Sequence, residues 1–215
     1  MLPGSVWMSK NETNLLGLVA DATGLTPVLE KRKGPLVDLN YDDPKSVRTR
    51  DVLFLKTHEI WLPLQVIEAD LIISVPMLKT HHWAEVSLSL KNLFGIVPGV
   101  RYGWPKNFRH FKGIAFSILG LYQTVPNVVS VVDGIIGMEG DRPSFGNPVN
   151  LGLLVVGLDL VTVDNICVNL MGLMTDEFFH LFLANWAGVG QGKKIDKNGI
   201  SPALITIPHQ RPPSA

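Results

Sequence analysis

ADLIISVPMLKTHHWAEVSLSLKNLFGIVPG, Ala69 to Gly99, is the stretch from which the fold is read. It starts with an apolar, β-branched run, Leu71-Ile72-Ile73-Ser74-Val75, stopped by Pro76. A residue without an N–H ends a central strand, so the run predicts a short buried strand. Lys79, Thr80, His81 and His82 follow at once, then Lys91 and Asn92 before Gly95. Open α/β sheets place their ligands at such carboxyl ends of strands.

Outward from this stretch, the pattern alternates strands with helices. Val86, Leu88 and Leu90 alternate with serines as a strand would, while Val86, Leu90, Leu93 and Phe94 also fit a helix closed by Gly95. Position after a strand and turn favours the helix. Upstream, Leu15–Ala20 predicts a helix stopped near Gly24, Pro35–Leu39 a short strand, Asn40–Arg50 a polar turn region, Val52–Leu55 an edge strand and Trp61–Ala69 a short helix with Pro63 in its first turn. Downstream, Ile114–Tyr122 predicts a helix ending near Pro126. Val128–Ile136 and Leu151–Val156 predict buried strands, and Val163–Met174 a helix. Asp176–Trp186 reads as another helix, capped by Thr175 and ended by Gly188, and Ala203–Ile207 as a last strand. The fold class expected is α/β: a mostly parallel sheet flanked by helices, in one domain over 1–215 with loose ends at 1–14 and 209–215.

Composition narrows the function classes. Hydrophobic residues make up 46% and charged residues 18% of the 215, which suits a packed core and not a disordered chain. A net charge of zero argues against a dedicated nucleic-acid binder. The single cysteine, Cys167, rules out an internal disulfide and a four-cysteine iron–sulfur cluster supplied by this chain alone. The first residues, MLPGSVWMSKNETN, lack the form of a signal peptide, and no run reaches the ~18 apolar residues a membrane span needs. The expectation is a soluble, cytoplasmic protein.

The neutral total hides a division. Between Glu85 and Asp133 there is no acidic residue, but Lys91, Arg101, Lys106, Arg109 and Lys112 are present; from Asp133 to Asp164 the balance reverses, with Asp133, Glu139, Asp141, Asp159 and Asp164 against Arg142. Folded against each other, the segments would form a cleft with a cationic and a carboxylate wall; the plain alternative is two solvated faces that merely pair at the surface. Lys79 can hold a phosphate or carboxylate as a point charge, or act as base or nucleophile if desolvated. His81 can be a general base or ligand, and Thr80 a helix cap facing an anion. The plain alternative is that Thr80 is only a cap and Lys79 a surface residue. Lys91 reads equally as a third contact to the anion or a snorkelling surface lysine, with Asn92 orienting it or satisfying backbone groups. Asp133, Asp141 and Asp159 at strand ends are candidate ligand-binding residues, and Asp133 with Glu139 suits a hard divalent cation such as Mg²⁺. Their plain alternative is turn and cap chemistry. The run Gly188-Val189-Gly190-Gln191-Gly192-Lys193-Lys194 fails as a P-loop, because Ala187 and Lys194 stand where glycine and Ser or Thr are required.

Three ordered blocks carry a resemblance. VPMLKTHHWAEVSLSLKNLFGIVPG, Val132–Asp141 (VDGIIGMEGD) and Gly157–Asp164 (GLDLVTVD) resemble the motifs of the domain-of-unknown-function 362 family. Arg142 departs from that family's usual glycine. The resemblance implies a fold and a site centred on the lysine–threonine–histidine turn, but no reaction. It implies, too, a further α/β segment upstream in other members, and so a shortened member here. Some members carry fused ferredoxin-type modules, which implies a second reading: a redox accessory that docks to a ferredoxin-type protein carrying its own cluster. The first reading is a protein that binds a small anionic molecule at the sheet's carboxyl edge, in which Lys79, His81 and Lys91 act on the ligand.

Overall fold

The computed structural model describes residues 15–50, 54, 57–81, 85–103, 113–125, 127–141, 145–190 and 207–210. Two short helices lead, α1 (Leu15–Ala22) and α2 (Leu25–Arg32), joined at Gly24 in the left-handed region (φ 72°). Strands β1 (Pro44–Arg48) and β2 (Glu59–Pro63) then form a separate antiparallel pair. Pro63 ends β2 and precedes the four-residue helix α3 (Leu64–Ile67), so the helix expected over Trp61–Ala69 is half strand. Alternation decides this: Ile60 and Leu62 point into the core, 0% and 2% exposed. Pro35–Leu39 forms no strand, and the expected edge strand at Val52–Leu55 lies mostly outside the described residues.

The main sheet contains β3 (Ile72–Ser74), β4 (Met77–His81), β5 (Glu85–Ser87), β6 (Val128–Asp141) and β7 (Phe145–Gly157). Ile72 pairs with Val128 and Met77 with Asp133 in one unbroken parallel register, with Asp133 N–H donating to the Pro76 carbonyl. So β3 and β4 are one strand, interrupted but not turned by Pro76, along one side of β6. The other side of β6 pairs with β7, antiparallel, from Ser130↔Gly157 to Asp141↔Phe145. The expectation of a mostly parallel sheet is therefore corrected to a mixed one. The cause is the short connection at residues 142–144, because a parallel crossover needs a dozen residues or more.

β6 carries a bulge. Its register to β4 jumps between Met77↔Asp133 and Lys79↔Met138, and its register to β7 jumps between Gly134 and Ile136. The Asp133 carboxylate fixes the bulge by accepting the Ile135 N–H at 2.9 Å. Gly137 is needed there: a Cβ would come within 2.8 Å of Leu151 Cδ1 and 3.0 Å of the Leu78 carbonyl oxygen.

After β5 come α4 (Ser89–Asn92), a 3₁₀ turn (Leu93–Ile96), α5 (Gly99–Tyr102) and, beyond undescribed residues, α6 (Ile114–Thr124). The ambiguous segment Glu85–Phe94 is thus strand first and helix second, each half following its own periodicity. Helix α7 (Leu160–Leu170) follows β7, and α8 (Phe179–Trp186) comes after a 3₁₀ turn at Thr175–Glu177. Thr175 does not cap that turn; the Glu177 carboxylate does, accepting the Met174 N–H at 3.2 Å. Residues 207–210 run as an extended tie, with Ile207 and His209 N–H groups on the Leu170 and Met171 carbonyls.

Strand alternation assigns the two faces of the sheet. Ser74, Leu78, Thr80, Val86, Ser130 and Val132 point to one side, all buried, where Ile118, Leu119, Leu160, Val161 and Leu181 of the helices complete the core. Among the described residues, no helix packs on the other side. That side presents Ile73 (56% exposed), Val75 (61%), Met77 (40%), Leu154 (57%) and Val156 (68%), with Val129 and Val131 half-buried between them.

Candidate functional site

Helix α4 begins without a side-chain cap of its own, since Leu88 occupies the cap position. Asp164 of α7 supplies it from a distance. Its two carboxylate oxygens accept the Ser89 N–H at 2.8 Å and the Leu90 N–H at 2.9 Å. Those are two of the orphan donors any helix start leaves, here satisfied from another element. Asp164 is fully buried, and burial pushes its carboxyl up to about 7 against the lowering pull of those hydrogen bonds.

Around this joint lies a cluster of hydroxyls. The Ser89 and Ser130 hydroxyls meet at 2.6 Å, and Asn92 donates its amide N–H to the Ser74 hydroxyl at 3.0 Å. Ser74, Ser89 and Ser130 are 4%, 0% and 0% exposed, so each must be hydrogen-bonded to be tolerated there. The next residue along, Lys91, holds its ammonium 4.8 Å from the centre of the Phe94 ring. Its charge also reaches His180 of α8, which is buried. Burial first, and Lys91 second, lower that imidazole to about 4. The His180 Nε2 has no hydrogen-bond partner among the described residues.

The lysine–histidine turn is on the other side of the sheet. It is not a turn but strand β4, in which Lys79 and His81 alternate with buried Leu78 and Thr80. Lys79 and His81 therefore share the open face, half-buried, two residues and about 6.6 Å apart along the strand. Thr80 caps no helix; its hydroxyl donates to the Gly140 carbonyl at 3.0 Å. Asp133, opposite Met77, lies on the same face as Lys79. Glu139 follows Met138, the partner of Lys79, and so lies on the opposite face, where its carboxylate accepts the Gln210 N–H at 2.7 Å. Asp141 ends β6 opposite Phe145, and His82 lies outside the described residues.

Asp159 is at the far end of the sheet. It follows Gly157, which pairs with Ser130, whereas Lys79 pairs with Met138; along β6 that is roughly 25 Å. Asp159 caps α7, accepting the Thr162 N–H at 2.7 Å, and takes a second hydrogen bond from the Tyr122 hydroxyl at 3.0 Å. Burial and the adjacent carboxylate hold the Tyr122 phenol well above its ordinary value. Beside this pair lies a cleft of about 790 Å³, lined by Arg50, Tyr122, Gln123, Asn127 and the backbone of Gly188–Gly190 among others.

The candidates are thus brought together in part. Lys79, His81 and Asp133 share a face; Lys91 and Asn92 belong to the helical layer behind it; Asp159 stands at the opposite edge. Among the described residues, no group of three or more His, Cys, Asp or Glu side chains stands close enough to hold a metal ion. Likewise, no described helix is long and apolar enough to cross a membrane. Sequence reasoning missed Ser74, Ser130 and His180. A hydroxyl within a β-branched run, as at Ser74 and Ser130, was the available signal for the first two.

The fold and its buried joint define an α/β protein with a mixed sheet covered by helices on one face. Over residues 4–169 the sequence matches the family described as "Domain of unknown function (DUF362)", and the chain belongs to that family. The thylakoid-associated protein sll1697 of Synechocystis sp. (strain ATCC 27184 / PCC 6803 / Kazusa) is similar to it. The two are 26% identical over 160 residues, which cover 72% of this chain and 47% of that protein. The chain thus spans about half the length of the curated relative it matches. No solved structure matches.

Proposed function

We propose that the chain binds a small anionic molecule, a phosphate or carboxylate, at Lys79 and His81 on the open face of β4. The observation that carries this reading is their common direction: an ammonium donor and an imidazole two residues apart on one strand, each half-buried. Partial burial strengthens a charge-assisted hydrogen bond relative to bulk water. Asp133, on the same face, serves as acid–base partner or as one ligand of an accompanying divalent cation such as Mg²⁺. Glu139 faces away and joins no such set. Lys91 and Asn92 belong, in this reading, to the supporting layer.

Phosphate titration followed by ³¹P NMR tests it. The expected result is saturable binding by the native chain, weakened tenfold or more in Lys79→Ala and in His81→Ala and unchanged in Lys91→Ala. Equal binding by all four proteins would refute the assignment.

A redox accessory role toward a ferredoxin-type protein places the cluster entirely in the partner. Cys167 is fully buried, and burial raises its thiol well above the ordinary value, so it is no ligand. A lone thiol of this kind also suits the cytoplasm, where we place the protein.

A further inference from the structure

The cleft beside Tyr122 and Asp159 lies at the edge of the sheet away from Lys79 and His81, and the anion reading uses none of it. It sits where β7 ends and α7 begins, the carboxyl end of a strand leading into a helix, which is where open α/β sheets receive ligands. Its volume of about 790 Å³ falls within the roughly 300–1,000 Å³ of small-molecule sites. Its described walls are held in place by the fold. Arg50 follows buried Thr49, whose hydroxyl donates to the Thr57 carbonyl at 2.7 Å and whose N–H donates to the His58 carbonyl at 3.0 Å. Asn127, in the left-handed region at φ 47°, donates its side-chain amide to the Asp70 carbonyl at 3.2 Å, while its own carbonyl accepts the Ile72 N–H. Gln123 lies on the last turn of α6, and its Oε1 is buried with no hydrogen-bond partner among the described residues. A buried acceptor left so is unfavourable, and a donor from a bound molecule satisfies it. Another wall is Gly188-Val189-Gly190, the start of the run that fails as a P-loop. A Cβ on Gly188 would meet nothing within 4 Å, while one on Gly190 would come within 2.8 Å of Asp159 Oδ2, so this backbone packs directly on the start of α7.

We propose that this cleft binds a nucleoside monophosphate, adenosine monophosphate before others, with the phosphate on Arg50 and the base edge on Gln123 and Asn127. Arg50 is the one charged residue of the described lining, so the ligand is an anion. Its planar guanidinium meets a phosphate through two parallel N–H donors. The cleft is much larger than a phosphate alone, and the carboxamides read what remains. Each presents a donor beside an acceptor, the pattern that pairs with N6 and N7 of adenine. Leu158 and Val125 give a flat base an apolar bed, and the Gly188–Gly190 backbone lets a ring approach where side chains would hold it off. The site stands roughly 25 Å along β6 from Lys79, so either assignment can fail without the other.

Isothermal titration of the full chain with adenosine monophosphate tests it. The expected result is saturable binding, weakened tenfold or more in Arg50→Ala and in Gln123→Leu and unchanged in Lys79→Ala. Arg50 is exposed, so its removal leaves the core intact. Ribose 5-phosphate, which lacks the base, is expected to bind the native chain at least tenfold more weakly. No saturable binding by the native chain, native affinity in Arg50→Ala, equal affinity for ribose 5-phosphate, or binding lost in Lys79→Ala would each overturn the inference. Where circular dichroism shows that Gln123→Leu fails to fold, Asn127→Ala at an exposed position takes its place, and native affinity in that variant refutes the base contact.

Discussion

Asp164 and His180 are both buried and both titrate away from their ordinary values, in opposite senses. Asp164 is raised to about 7 by burial. Between the unfolded carboxylate value and 7 the native state holds a proton that the unfolded chain has lost, so its contribution is fully present below about pH 4 and is lost as pH rises through about 7. His180 is lowered to about 4 by burial and then by Lys91. Its contribution is present above about pH 6.5 and is lost as pH falls through about 4, because only the unfolded imidazole then takes up a proton. Over the shared window the two slopes oppose each other. Asp164→Asn, which also costs about 1–3 kcal/mol by disturbing two buried amide bonds, is expected to leave stability rising from about pH 4 to 6.5. His180→Leu is expected to leave it falling over the same range. Urea midpoints measured across that window check both; two curves of the same slope would contradict the assignment.

Elements were legible wherever one periodicity ran without competition. Helix α6 follows an unbroken 3.6-residue pattern from Ile114, and the strand at Val128 is a plain β-branched run; both formed where expected. The sequence around Ser89 was ambiguous because two elements share it, and the switch from β5 to α4 depends on a cap supplied by Asp164, which no local pattern reveals. At the start of α7 the cap is local. Asp159→Ala is expected to cost about 1 kcal/mol through the lost Thr162 bond, with Asp159→Asn recovering most of it. Thermal unfolding of the two variants checks this; equal melting points for Asp159→Ala and Asp159→Asn would contradict the cap assignment.

At the scale of the whole molecule, the sequence announced β3, β6 and much of β7 as strands, but not β1, β2 or β4, and not how the strands are arranged. The direction of β7 depends on whether the chain beyond Asp141 turns tightly or crosses over, and Arg142-Pro143-Ser144 carries no pattern that decides between them. The same gap hid the geometry of the site: alternation along β4 sends Lys79 and His81 one way and Thr80 the other, while Lys91 lies behind the sheet. The arrangement of β6, with a near neighbour on one side and a distant one on the other, also dictates an order of assembly. The ribbon of β6 and β7 closes over three connecting residues, whereas Ile72 reaches Val128 only after more than a quarter of the polypeptide has been looped out. Loop-closure entropy favours the ribbon as the nucleus onto which the earlier strand later docks. In pulse-labelled refolding, the amides shared by β6 and β7 should be shielded before those of β3; simultaneous shielding would mean that the long loop closes in the first step.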